Sequence, residues 1–228
     1  MEHKRLTLFA GHYGSGKTNI AVNYAIAMAN EGKKVCIGDL DIVNPYFRTA
    51  DSARRLEAAG VELISPQFAN SNVDLPALPA QAYKLVQDKS VFGVMDIGGD
   101  DRGAYALGRY VPFIKQEGNY RMVFVANACR PLTPTAREAF EVMGEIEAAC
   151  GLAFTHIVNN TNLGPATDCD VILESQAFIR QLQSLSGLPL LFTAVRRDLA
   201  QELETQLPNV FPLHLQEKYF DLPDQKIF

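Results

Sequence analysis

No apolar run long enough to span a bilayer, no C-x-x-C pair and no excess of basic residues occur in this 228-residue sequence. The first absence argues against a spanning helix, which needs about 20 predominantly apolar residues. Met1-Glu2-His3-Lys4-Arg5 runs straight into a strand-like segment without the apolar core of a signal peptide, so a soluble, cytoplasmic protein is expected. The second absence bears on metals. Cys36, Cys129, Cys150 and Cys169 lack the close spacing of a zinc or iron–sulfur site and read as reduced thiols. The third concerns nucleic acid: a formal charge of -5 supplies no global basic field, and Lys33-Lys34, Arg54-Arg55 and Arg196-Arg197 are isolated, solvated pairs. Repeats and low-complexity linkers are missing too. With 47% hydrophobic residues the chain reads as one large domain over 1–228.

What the sequence does contain is organised around Gly11-His12-Tyr13-Gly14-Ser15-Gly16-Lys17-Thr18, a match to G-x-x-x-x-G-K-[ST]. Glycines let such a loop curl so that successive N–H groups face phosphate oxygens. Lys17 is placed to reach the β- and γ-phosphates, and the Thr18 hydroxyl to ligate Mg²⁺. A chance match in a chain of this size has a probability of about 1 in 100 from residue frequencies. Context lowers it further. Leu6 to Ala10 is an apolar strand-like run, and Asn19 to Ala29 reads as a helix whose N-terminal dipole favours an anion. A dinucleotide fingerprint would need Gly or Ala at position 19, which is Asn19.

The rest of the chain alternates. Strands are expected over Lys33–Asp39, Val61–Pro66, Ser90–Asp96, Arg121–Ala126, Phe154–Val158 and Leu188–Val195, with an edge strand over Val210–Leu215. Helices are expected over Thr49–Ala59, Pro79–Gln87, Ala104–Gln116, from near Pro134 (capped by Thr133) to Cys150, over Asp168–Leu185, and over Asp198–Leu207. Residues 67–77 read as a loop. Continuously apolar strands separated by helices predict a doubly wound α/β domain with a mostly parallel sheet.

In such sheets ligands bind at the carboxyl ends of the strands. Asp39 and Asp41 close the second strand. Asp96 closes a later one and suits the Walker-B role of holding Mg²⁺, with Asp39 nearer the metal as well. Asp96-Ile97-Gly98-Gly99 is a D-x-x-G stretch in which a backbone N–H at Gly99 can meet the γ-phosphate. Asp41 is the candidate to orient the attacking water. Tyr46, Phe47 and Arg48 form either a loop anchor or a surface for a protein or small-molecule partner. Asn159 can hydrogen-bond a base through its amide. A guanine-reading N-K-x-D would place an Asp where Asn162 stands, so ATP is favoured over GTP.

Taken together these residues resemble the MinD/ParA branch of P-loop ATPases, which includes nitrogenase iron protein and cobyrinic-acid amidotransferase relatives. The resemblance runs from the loop at Gly11–Thr18 through Asp39-Leu40-Asp41 and Asp96–Gly99 to Asn159. It implies seven or eight strands, Mg-ATP binding, slow hydrolysis and an ATP-dependent homodimer. Nucleotide contacts then fall on Gly11 through Asn19 with Gly99 and Asn159, metal contacts on Thr18, Asp39 and Asp96, and catalysis on Lys17 and Asp41. Two positions depart from the family: its lysine after the first glycine is His12, and its next glycine is Tyr13. The end of the chain, with Pro223, Glu217, Asp221 and Asp224, lacks the basic amphipathic character of a membrane-targeting helix. The functional expectation is an ATP-hydrolysing switch. Its alternatives are a metabolite ligase or kinase with Tyr46, Phe47, Arg48 and Arg102 around the acceptor, or an interaction module that barely hydrolyses.

Overall fold

The computed structural model describes residues 2–40, 49–65, 80–99 and 101–215, and of residues 50, 51, 80, 101, 102 and 104 the backbone alone. Asp41, Tyr46 to Arg48, the loop over 67–77, Asp100 and the C-terminal tail from 216 lie outside them, as does the side chain of Arg102.

In chain order the elements are β1 (Leu6–Ala10), α1 (Lys17–Asn30), β2 (Val35–Leu40), α2 (Ala53–Ala58), β3 (Glu62–Ile64), α3 (Lys84–Gln87), β4 (Phe92–Ile97), α4 (Asp101–Gly108), α5 (Val111–Glu117), β5 (Tyr120–Ala126), α6 (Ala136–Cys150), β6 (His156–Asn159), α7 (Cys169–Ser186), β7 (Leu190–Arg196), α8 (Arg197–Leu203) and β8 (Val210–Leu213). Short 3₁₀ turns precede α2, α3 and α7. Eight strands form one sheet in the order β3-β2-β4-β1-β5-β6-β7-β8, and every neighbouring pair is parallel. The doubly wound expectation therefore holds.

Period-2 alternation sends successive strand residues to opposite faces. Leu6, Leu8, Met122 and Phe124 join one buried cluster with Leu107, Ile114, Met143 and Leu182, so α4 to α7 cover that face. Phe9, Val94, Val123 and Val125 join the other with Ile20, Tyr24, Met28 and Leu56 of α1 and α2. Burial on both faces is why β1, β2 and β5 are buried almost throughout and mostly apolar, apart from Thr7, Asp39 and Arg121.

Two helix expectations are corrected. The single helix over 104–116 is two, broken at Arg109-Tyr110, because Pro112 sits in the first turn of α5. Its ring and missing N–H suit a helix start and would disrupt a helix interior. The cap of α6 is Thr135, not Thr133. Thr135 Oγ1 accepts from the Glu138 N–H at 3.3 Å, and Glu138 Oε2 accepts from the Thr135 N–H at 3.0 Å. Only Thr135 has a glutamate three residues on, which makes the reciprocal capping box. Among the described residues no helix is long and apolar enough to cross a membrane.

The chain steps toward one edge of the sheet after β1 and toward the other after β5. Strand order thus reverses between β1 and β5, and a crevice at their carboxyl ends is where an open α/β sheet receives its ligand.

Candidate functional site

The glycine-rich loop leaves β1 into that crevice and closes into α1. Gly16 caps the helix in the left-handed region at φ 90°, where a side chain is strained. Inside the loop the Ser15 N–H donates to His12 O at 3.1 Å, and the Ile20 N–H donates back to Gly16 O at 3.1 Å. Lys17 is buried and its Nζ donates to His12 O at 3.3 Å, so the side chain folds back over its own loop. His12 Nδ1 lies 3.0 Å from Tyr13 O. Thr18 and Asn19 are half-buried in the first turn of α1, where Asn19 O and Oδ1 accept from Asn23 Nδ2 at 2.8 and 3.3 Å.

β4 lies between β2 and β1, and its register aligns Asp96 with Asp39 on one side and with Phe9 on the other. Residues in register share a face, so the two carboxylates stand side by side next to the phosphate loop. Both are buried. Burying like charges together is unfavourable unless a cation or donors neutralise them. One donor is Thr49, whose hydroxyl gives a 3.0 Å hydrogen bond to Asp96 Oδ2. Thr49 is fully buried, although in sequence it marks only the start of an expected helix.

Gly99 completes this side. A Cβ placed on it would come 2.7 Å from Lys17 Nζ and 2.8 Å from the Tyr13 nitrogen. The D-x-x-G backbone therefore lies directly against the loop, at a distance only glycine tolerates. The structure brings Gly11 to Thr18, Asp39, and the Asp96 to Gly99 stretch together from three segments of the chain. Asp41 and Tyr46 to Arg48 fall outside the described residues.

Asn159 behaves differently from its expected role. It has 0% exposure, its Nδ2 donates to Ser175 Oγ at 2.8 Å and its Oδ1 accepts from the Thr161 N–H at 3.1 Å. Placed there it organises the loop after β6 and is inaccessible to a base. Its neighbour Asn160 makes the functional link, donating from Nδ2 to Ser15 O at 2.7 Å. The loop after β5 joins the same network: Asn127 Oδ1 accepts from the Cys129 and Asn162 N–H groups, and Ala128 donates to Thr161 Oγ1. Asn160, Asn127 and Arg130, whose guanidinium lies beside Gly14, escaped sequence reasoning. The one available signal was the clustering of asparagines after two apolar strands.

Metal and thiol chemistry follow from the same geometry. Thr18, Asp39 and Asp96 offer hard oxygen donors, the type Mg²⁺ prefers. Among the described residues no three His, Cys, Asp or Glu gather into a cage that would hold an ion alone. All four cysteines are free, and burial pushes the Cys36 thiol up to about 12 and raises those of Cys129 and Cys150. Burial thus disfavours the thiolate at Cys36, Cys129 and Cys150.

No family model and no curated protein sequence matches this chain. Solved structures do. The chain is similar to FtsY from Mycoplasma mycoides, with TM-score 0.60 and 16% identity over 85% of this chain and 60% of that one. It is similar to cell division protein FtsY from Thermotoga maritima, with TM-score 0.56 and 19% identity over 85% and 62%. A third is the signal recognition particle 54 kDa protein from Aeropyrum pernix in complex with GDP, with TM-score 0.53 and 17% identity over 82% and 40%. The chain spans less than two thirds of the length of each. At these identities the likeness shows the fold alone, an α/β domain with an eight-stranded, all-parallel sheet.

Proposed function

We propose that this chain binds a Mg²⁺–nucleoside triphosphate, ATP by its base loop, and hydrolyses it slowly as a conformational switch of the MinD/ParA type. The carrying observation is the contact of Gly99 with Lys17 and Tyr13. A terminal phosphate seated on the loop arrives where these three meet. It then offers oxygen acceptors to Lys17 Nζ and to the Gly99 N–H, which ties the segment after β4 to the loop. Loss of that phosphate removes the tie, and this order-to-release step is the switch. The loop N–H groups and Lys17 orient the phosphates and stabilise charge in the transferring group. Thr18, Asp39 and Asp96 would hold Mg²⁺, which when bound neutralises β- and γ-phosphate charge. Asp41 orients the attacking water. A nucleotide-dependent homodimer and a partner at Tyr46 to Arg48 belong to the same reading.

ATP is favoured because Asn162 replaces the carboxylate that would accept from guanine's amine. Its Nδ2 already donates to Asn160 O at 2.7 Å and its Oδ1 accepts from the Gly164 N–H at 3.1 Å. A GTP reading rests on a different observation, the GDP in the complex of the Aeropyrum pernix neighbour. Calorimetric titration with Mg-ATP and Mg-GTP separates the two. Tighter ATP binding with slow phosphate release, abolished in Lys17→Ala and lost in Asp41→Ala with affinity retained, is the expected result. Full phosphate release by Asp41→Ala removes that residue from the mechanism. Equal failure of both nucleotides to bind removes the reading itself.

A further inference from the structure

A cation stands over the phosphate loop from outside it. Arg130 lies in the turn after β5, and its guanidinium packs on Gly14: a Cβ there would meet Cζ and Nε at 3.5 Å and Nη1 at 3.6 Å. Gly14 sits at φ 75°, in the middle of the loop. The Arg130 Nε is buried and has no hydrogen-bond partner among the described residues. No described carboxylate is within ion-pairing distance of it. Arg121, also buried, likewise leaves its Nε and Nη1 without a hydrogen-bond partner among the described residues, but Arg5 and Arg196 are matched. Arg5 pairs with Glu117 and donates to Leu85 O and Val91 O, and Arg196 pairs with Asp198 and donates to Pro165 O.

A guanidinium keeps its charge and presents a planar fork of donors suited to phosphate oxygens. Leaving a buried N–H without an acceptor is unfavourable, and an anion in the crevice relieves it. The side chain is also presented by a braced turn. The Arg130 N–H donates to Asn127 O at 3.2 Å, and the Thr133 N–H donates to Arg130 O at 3.1 Å. Asn127 in turn is hydrogen-bonded to the loop after β6 through the Asn162 N–H at 3.3 Å. This turn borders the crevice between β1 and β5 where strand order reverses.

We propose that Arg130 is a phosphate ligand, adding from the same chain a second positive charge to that of Lys17 at the nucleotide's polyphosphate. The proposal rests on the nucleotide-binding reading above. It further assigns the loop after β5 as a third wall of the site.

The test is calorimetric titration of wild type, Arg130→Gln and Arg130→Lys with ATP, ADP and AMP in Mg²⁺ buffer. Loss of charge-assisted hydrogen bonds predicts ATP binding weakened about ten- to a hundredfold in Arg130→Gln. AMP affinity changes less than about threefold, and Arg130→Lys recovers part of the loss, because a lysine keeps the charge without the fork. The melting temperature of nucleotide-free Arg130→Gln is not lowered, since the guanidinium leaves no partner behind. On wild-type protein, Mg-ATP protects Arg130 from phenylglyoxal modification and AMP does not. Unchanged ATP affinity, equal losses for ATP and AMP, absence of protection, or a variant that fails to fold each overturn the assignment. Lys17→Ala serves as the separate control. If Lys17→Ala binds ATP like wild type, the nucleotide reading itself fails; if it does not bind while Arg130→Gln binds with wild-type affinity, only the Arg130 assignment fails.

Discussion

Replacing Asn160 by alanine tests the bracing of the phosphate loop most directly. Asn160 is buried, and its Nδ2 bridges 2.7 Å to Ser15 O inside the loop. The amide is wedged against the loop, since a Cβ on Gly16 would stand 2.2 Å from that nitrogen. Truncation deletes one buried hydrogen bond and strands a carbonyl, a loss of about 1–3 kcal/mol. The small void left behind adds to this, and about 2–3 kcal/mol in total is the working figure. For a domain of this size each kcal/mol lowers the melting temperature by about 2–4 °C, so a fall of roughly 4–12 °C is expected by calorimetry. Nucleotide binding must then re-order the freed loop, and fixing even one backbone residue costs about 1–2 kcal/mol, which weakens affinity about five- to thirtyfold. Asn160→Asp keeps the size but turns an acceptor toward the Ser15 carbonyl, and it is expected to be worse than alanine. A melting temperature within about 1 °C of wild type together with unchanged nucleotide affinity would refute the bracing role.

Further outcomes follow from contacts elsewhere. Gly99→Ala forces a methyl to within 2.8 Å of the Tyr13 nitrogen, and overpacking against backbone costs about 1–3 kcal/mol. Phosphate release should fall at least about tenfold; wild-type turnover in this variant would show that the segment after β4 does not close on the loop. Glu117 is held by Arg5 and by Lys89 at 2.6 Å. Burial pushes its carboxyl up, but the hydrogen bonds and charges of Arg5 and Lys89 prevail and set it below its ordinary value. Its stabilisation is therefore complete above the unfolded pKa of about 4.3 and is lost as pH falls through the lower folded value. Glu117→Gln should destabilise the protein by about 1–3 kcal/mol at pH 7 and flatten the acid limb between pH 5 and 3, read by urea denaturation; parallel pH profiles would exclude the ion pair as its source. Thr135→Ala removes the α6 capping box for about 1 kcal/mol, a drop of about 2–4 °C by circular dichroism. An unshifted melting curve would count against that cap.

Much of this architecture was legible because its signals are local. A glycine-rich loop between an apolar run and a helix announces itself within Leu6 to Ala29, and period patterns mark the strands to within a residue or two. Errors arose where one local signal displaced another. Pro112 splits a helix whose apolar spacing looked continuous, and Glu138 selects Thr135 over Thr133 as a cap. Asn159 was read as free for a base because nothing in the sequence reveals Ser175, the partner that buries it.

The glycine-rich loop between a strand and a helix, the acids at the strand ends and a parallel α/β domain were all fixed by sequence alone, because each follows from spacing along a few neighbouring residues. Strand order was decided only by tertiary packing. Placing β4 between β2 and β1 sets Asp96 in register with Asp39 and lets Thr49 donate to it across 47 positions of sequence. Asn160 reaches Ser15 across 145 positions, and Arg130 reaches Gly14 from a separate loop. Such pairs depend on which crossover brings which strand to the centre of the sheet. That choice is made by burying both faces of the sheet at once, and no local pattern of residues encodes it.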